Sequence, residues 1–105
     1  MIETMYLIEL FLPLYDNKGR RFADSRYAEV RKILMEKFGG LTAFTRAPAQ
    51  GSEQADEGER RDDLIVFEVM TETLDALWWK TYRISLEAAF RQERLLVRAA
   101  RVTLL

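Results

Sequence analysis

Leu-Ile-Val-Phe-Glu-Val-Met, residues 64–70, is the stretch that decides the fold. Its β-branched and aromatic residues predict a strand, in which alternate side chains point to opposite faces. Both faces of this strand are apolar, and Glu68 is its only charged residue. Residues 5–12, Met-Tyr-Leu-Ile-Glu-Leu-Phe-Leu, repeat the pattern with Glu9 in the same role. The two stretches predict a sheet that is apolar on both sides.

A helix and a short strand are predicted between these two stretches. Tyr27, Val30, Leu34 and Phe38 recur at helical spacing, and Gly39-Gly40 follows them as a stop signal. Residues 41–47 predict the short strand. The polar segment 49–61 has no apolar periodicity and predicts a loop.

The segment that follows residues 64–70 predicts a second helix and a last strand. Thr71 is placed to cap this helix, whose main apolar stripe includes Trp79, Tyr82 and Leu86. Leu77 and Ile84 form a weaker stripe roughly opposite. Residues 95–103 predict the last strand.

The order of the elements is therefore β-α-β-β-α-β within 105 residues. This order is typical of the ferredoxin-like α+β fold, a four-stranded antiparallel sheet in strand order 4-1-3-2 with two helices on one face. The length fits a single domain spanning residues 1–105. Because one layer of helices covers only one face of the sheet, the other face is left as a large apolar patch. We expect a homodimer in which two sheets pack against each other.

The chain resembles the dimeric α/β-barrel superfamily, whose ferredoxin-like subunits pack sheet against sheet. Residues 38–46, Phe-Gly-Gly-Leu-Thr-Ala-Phe-Thr-Arg, and residues 66–70, Val-Phe-Glu-Val-Met, are similar to stretches of small bacterial proteins of that superfamily that have no assigned function. Named members include cofactor-free quinol monooxygenases, muconolactone isomerases, haem-dependent chlorite dismutases and stress-responsive barrel proteins. No catalytic motif of these enzymes maps onto this chain residue by residue.

The composition excludes several classes of chemistry. The chain has no cysteine and no histidine, so disulfides, thiolate nucleophiles, zinc fingers, His-held haem and imidazole catalysis are ruled out. Sixteen basic and seventeen acidic residues give a net charge of -1, which argues against nucleic-acid binding. We expect no metal and no cofactor. The start of the chain has no signal-peptide or membrane-span pattern, which favours a cytoplasmic protein that does not enter a membrane.

Four charged residues are predicted on the outer face of the sheet, the face turned away from the helices. Glu9 and Glu68 are candidate catalytic carboxylates, with Arg98 expected beside Glu9 and Arg46 beside Glu68. In one interpretation they form two structural ion pairs that fix the register of the dimer. In the other they line a polar cavity, where a carboxylate of raised pKa moves a proton or an arginine holds an anionic ligand.

An aromatic group on the helix side is a second candidate ligand site. Trp78, Tyr82 and Tyr6 could line a pocket between helices and sheet, where flat rings and hydroxyls suit a planar ligand. The same residues also fit an ordinary core, since helical spacing alone accounts for Tyr82. Trp78 lies off the main stripe and is the better candidate for a pocket.

Two functions from different classes follow from these observations. The first is a small-molecule binding or accessory protein that acts as a homodimer. The second, implied by the superfamily resemblance, is a cofactor-independent enzyme, a monooxygenase or isomerase acting on a small aromatic or polyketide-like compound. The sequence leaves open whether there is turnover. A third interpretation is a structural interaction module that uses the stripe of Leu77 and Ile84.

Overall fold

A computed structural model describes residues 3–46 and 63–105. In chain order the elements are β1 (Glu3–Pro13), α1 (Asp24–Phe38), β2 (Thr42–Arg46), β3 (Leu64–Thr71), α2 (Ala76–Ala89) and β4 (Val97–Leu104). Each predicted strand and helix is present, with ends that differ by a few residues. The loop predicted at 49–61 lies outside the described residues.

The four strands form one antiparallel sheet in the order β2-β3-β1-β4. This is the predicted order 4-1-3-2 read from the other edge, and it confirms the ferredoxin-like topology. The two strands that are apolar on both faces, β1 and β3, lie at the centre. Their position is expected because central strands have the most surface covered by neighbours.

The core lies between one face of the sheet and the two helices. Alternate residues of the central strands point into it, as the period of two predicts. Their partners on the helices recur at spacings of three, four and seven residues, the pattern of an amphipathic stripe. The main members are Ile8, Leu10, Leu12, Phe67 and Val69 from the sheet and Tyr27, Val30, Leu34, Trp79 and Leu86 from the helices.

Gly39 ends α1, as the sequence predicts. Its φ of 81° lies in the left-handed region, where glycine has no steric penalty. Its backbone N–H donates to the carbonyl of Met35 at 2.8 Å, which satisfies one of the last carbonyls of the helix. The chain is thereby turned from α1 into β2.

The cap of α2 is not the predicted Thr71. Asp75 is the capping residue, and its Oδ1 accepts a hydrogen bond from the backbone N–H of Trp78 at 3.1 Å. Thr71 is still the last residue of β3, and its hydroxyl donates to the carbonyl of Thr73. Within the described ranges, neither helix is long and apolar enough to cross a membrane.

The outer face of the sheet is less open than the sequence predicts. Val66 and Phe11 point to this face but are only 1% and 6% exposed within the single chain. Val66 lies between Phe11 on β1 and Phe44 on β2, and the Arg98 guanidinium lies 4.9 Å from the centre of the Phe11 ring. Phe44 and Met70 remain 41% and 45% exposed.

Candidate functional site

Two glutamates face each other at the centre of the outer face. Glu9 of β1 and Glu68 of β3 are direct partners in the antiparallel register. Glu9 lies close enough to raise the pKa of the Glu68 carboxyl. The site is therefore a carboxyl pair, whereas the sequence predicted two separate carboxylates, each beside its own arginine.

The environment of this pair favours the protonated form of Glu68. Removal of water from the carboxyl raises the pKa of Glu68, and the hydrogen bond and negative charge of Glu9 raise it further. The folded state therefore binds this proton more tightly than the unfolded state does. It follows that Glu68 favours folding below its ordinary pKa, and that this contribution is lost as the pH rises through its raised folded-state pKa.

Arg98 of β4 balances the charge of Glu9, as predicted. Its Nε lies 2.7 Å from Oε1 of Glu9, and the two residues are register partners. The Glu9 side chain is 19% exposed and that of Arg98 is 56% exposed. An ion pair this open to solvent contributes at most about 1 kcal/mol to stability. The pair places a positive charge beside the Glu9 carboxyl.

The backbone register does not place Arg46 opposite Glu68, where the sequence predicted it. In the register of β2 with β3, Arg46 is opposite Leu64, and Thr42 is opposite Glu68. Positions 42 and 46 are an even number of residues apart, so the alternation of the strand does not distinguish between them. The start of the strand, just after Gly39 and Gly40, decides the register.

A groove of about 300 Å³ opens beside Glu68. Apolar side chains, glycine backbone and the Glu68 carboxyl line it together. Its lining is Leu7, Phe38, Gly39, Gly40, Leu41, Thr42, Glu68, Val69 and Met70. The contribution of the α1–β2 turn to this groove was not expected from the sequence, in which Gly39-Gly40 predicts only the end of a helix.

The aromatic candidates Trp78 and Tyr82 lie on the opposite side of the sheet. Their ring centres are 5.0 Å apart, and Trp78 packs edge-on against Phe38 at 5.4 Å. Both residues pack against the buried core. Tyr6 lies on β1, where it is opposite Thr71 and Arg101. The fold therefore separates the carboxyl pair from Trp78 and Tyr82 by the thickness of the sheet.

In the part of the chain that the structure describes, no group of three carboxylates is close enough to hold a metal ion. Comparison with protein-family models, curated proteins and solved structures finds no significant match to this chain. The fold and the site together define a ferredoxin-like α+β protein with a carboxyl pair on the sheet face that its helices leave uncovered. Inferences about activity therefore depend on this chain's own geometry.

Proposed function

We propose that the protein binds a small molecule in the groove beside Glu68 and acts as a homodimer. The observation that supports this proposal is a glutamate of raised pKa that lines a groove whose walls combine apolar and polar surface. Small-molecule sites commonly combine an apolar lining with a few placed polar groups. The volume of about 300 Å³ suits a molecule of one or two rings.

The chemistry of the groove favours a partly aromatic ligand with an oxygen acceptor. A protonated Glu68 donates a hydrogen bond to a carbonyl, carboxylate or phenolate oxygen of the ligand. Leu7, Phe38 and Met70 would contact the apolar part. Thr42, opposite Glu68, offers a hydroxyl that both donates and accepts.

The proposed dimer forms through the outer face of the sheet, as in the dimeric α/β-barrel superfamily. The exposed Met70 and Phe44 lie on this face, and Met70 also lines the groove. A second copy packed there would remove these side chains from water, which is favourable in proportion to the apolar area covered. It would also enclose the groove.

A cofactor-independent enzyme, a monooxygenase or isomerase, is the second candidate function. The feature that favours it is the raised pKa of Glu68 opposite Glu9. General acid–base catalysis is most effective when the pKa of the catalytic group is shifted toward the working pH, and burial and a facing carboxylate shift that of Glu68 in this direction. Glu68 would transfer the proton, and Glu9 together with Arg98 would set the affinity of Glu68 for that proton.

The binding proposal predicts where ligands contact the protein. In 1H–15N NMR spectra, a panel of substituted benzoates, phenols and aromatic ketones is expected to shift the amide signals of Gly39, Gly40 and Thr42. Glu68→Ala is expected to raise the dissociation constant of the tightest-binding compound by about tenfold. This is the effect of losing one hydrogen bond to a charged or strongly polar group. Glu36→Ala, which removes an exposed carboxylate on α1 that does not line the groove, should leave the dissociation constant unchanged.

The conservative variant Glu68→Gln separates the two functions. A binding protein should leave the bound compound unchanged both with and without the substitution, and should retain most of its affinity in Glu68→Gln because the amide still donates. An enzyme should convert the compound in its unsubstituted form, and in Glu68→Gln should retain affinity but lose this turnover, measured by mass spectrometry of the compound after incubation. Shifts confined to other residues, or equal binding by Glu68→Ala and the unsubstituted protein, would contradict the site.

A further inference from the structure

β4 is an edge strand of eight residues with one side open. In the sheet it pairs with β1, and among the described residues no strand lies on its other side. Its sequence, Val-Arg-Ala-Ala-Arg-Val-Thr-Leu, contains no proline, and residues 98–101 are exposed. An open edge strand offers a row of backbone donors and acceptors to another extended chain.

The register of β4 with β1 shows which of these backbone groups are open. The N–H of Phe11 donates to the carbonyl of Leu96 at 3.0 Å, which continues the register of the two strands and makes these residues a hydrogen-bonded pair. Hydrogen-bonded and non-hydrogen-bonded pairs alternate along an antiparallel ladder. The even-numbered residues of β4 therefore bond to β1, and the odd-numbered ones turn their backbone groups away from it. These outward-facing residues include Ala99, Arg101 and Thr103.

A groove of about 170 Å³ lies between this edge strand and α2. Ile8, Trp79 and Val97 form part of its apolar lining. Lys80, Arg83 and Arg98 are the basic residues that line it, and no acidic residue does so in the described part of the chain. The edge therefore combines open backbone groups with an adjacent recess that suits an apolar side chain and carries positive charge.

Part of the positive charge beside the edge is available to a partner. Two of the basic residues in the groove have carboxylate partners, which are Glu87 for Arg83 and Glu9 for Arg98. Lys80 and Arg101 form no ion pair with any other residue that the structure describes. Arg101 is on the same face of β4 as Val97, the face that lines the groove. A negatively charged segment along this edge would be attracted by both cations.

We propose that the β4 edge binds an extended acidic segment of a partner protein, which adds to the sheet as a fifth strand. Its backbone pairs with that of Ala99, Arg101 and Thr103. An apolar side chain enters the groove, and acidic side chains lie beside Lys80 and Arg101. In this mode of recognition the main-chain hydrogen bonds give affinity and the side-chain pocket gives specificity.

Two observations separate this proposal from other uses of the molecule. A second copy of β4 is a poor occupant of the edge, because the strand contains two arginines and no acidic residue to oppose them. The proposed site beside Glu68 is not involved, because the two grooves share no lining residue.

The acetylated and amidated peptide Glu-Thr-Val-Thr-Glu-Thr-Val tests the proposal. When extended, it places its glutamates and valines on one face. In 1H–15N NMR spectra it should slow the hydrogen exchange of the outward-facing amides of Ala99, Arg101 and Thr103. The amides of Ala100 and Val102, which already bond to β1, should change little. The same peptide with lysine in place of glutamate should bind at least about tenfold more weakly.

Lys80→Glu and Arg101→Glu test the charges on the protein side. Both residues are exposed, so the substitutions leave the core intact. Each should raise the dissociation constant of the glutamate peptide by about tenfold and lower that of the lysine peptide. Lys32→Glu makes the same change at an exposed position of α1 and should alter neither value.

Three results would overturn the proposal. Slow exchange of the outward-facing amides before any peptide is added would show that the edge is already covered. Equal affinity for the glutamate and lysine peptides would remove the role of the cations. Unchanged exchange at about 1 mM glutamate peptide would show that β4 does not accept an added strand.

Discussion

Leu10→Ala is expected to lower the free energy of unfolding by about 2–5 kcal/mol. Leu10 is completely buried on β1, where its register partners are Phe67 on β3 and Val97 on β4. Removing its side chain loses the transfer free energy of the buried carbons and leaves a cavity at the centre of the core. A small domain is stable by about 5–15 kcal/mol, so this loss is a large fraction of the total.

Leu77→Ala is the matched control, because it makes the same chemical change on the outer side of α2. Leu77 is 75% exposed, so its truncation should alter stability by no more than about 0.5 kcal/mol. Urea denaturation followed by circular dichroism gives both values. Similar losses for the two variants would place the core elsewhere and contradict the fold.

Met70→Glu is expected to dissociate the proposed dimer. Met70 is exposed on the outer face, opposite Leu7 on β1 and two residues from Glu68 on the same face. A carboxylate at this position would be desolvated in the dimer without a partner and would repel the carboxyl pair. We expect the dimer dissociation constant to rise by at least about 100-fold, a change of about 2.7 kcal/mol.

Ile84→Glu is the control for the dimer. Ile84 is 59% exposed on α2, on the side of the molecule away from the proposed interface. Sedimentation velocity over a range of concentrations should show a dimer for the unsubstituted protein and for Ile84→Glu, and a monomer for Met70→Glu. Dissociation by Ile84→Glu instead would place the interface on the helices. A monomeric unsubstituted protein would contradict the dimer itself.

The fold was predictable from the sequence because its signals are periodic and mutually consistent. The alternation in β1 and β3 and the helical spacing of Tyr27, Val30 and Leu34 each place the correct residues in the core. Turn chemistry was also informative at Gly39, whose φ of 81° requires the freedom of glycine. Local patterns suffice for these features because each depends on residues close in the chain.

The details of the site depend on register, which local patterns do not determine. Alternation placed Glu9 and Glu68 on the same face, but their direct pairing depends on how β1 aligns with β3. In the same way, the alignment of β2 with β3 places Thr42, and not Arg46, opposite Glu68. Thr71 directly follows the predicted strand 64–70 and so fits a cap in the sequence, but in the structure it is the last residue of β3, and Asp75 lies where the helix begins.

The alternation of apolar residues also does not predict how much of the outer face is buried within a single chain. Counting apolar residues indicated an open patch, yet Val66 is covered within a single chain that places Phe11 and Phe44 on either side of it. Large aromatic side chains shield their cross-strand neighbours to an extent that depends on register and rotamer. The apolar area available to a partner is therefore smaller than the sequence suggests.

The central claim is that Glu68, which faces Glu9 beside the groove, has a raised pKa, and NMR titration of the side-chain carboxyl carbons tests it most directly. In the unsubstituted protein labelled with 13C glutamate, Glu68 should titrate above the ordinary pKa of a glutamate, because it is desolvated and faces Glu9. The Glu9 signal should respond to the same step, as coupled groups do. Independent titration of both carboxyls at the ordinary glutamate value would contradict the raised pKa of Glu68 and remove the basis of the proposed site.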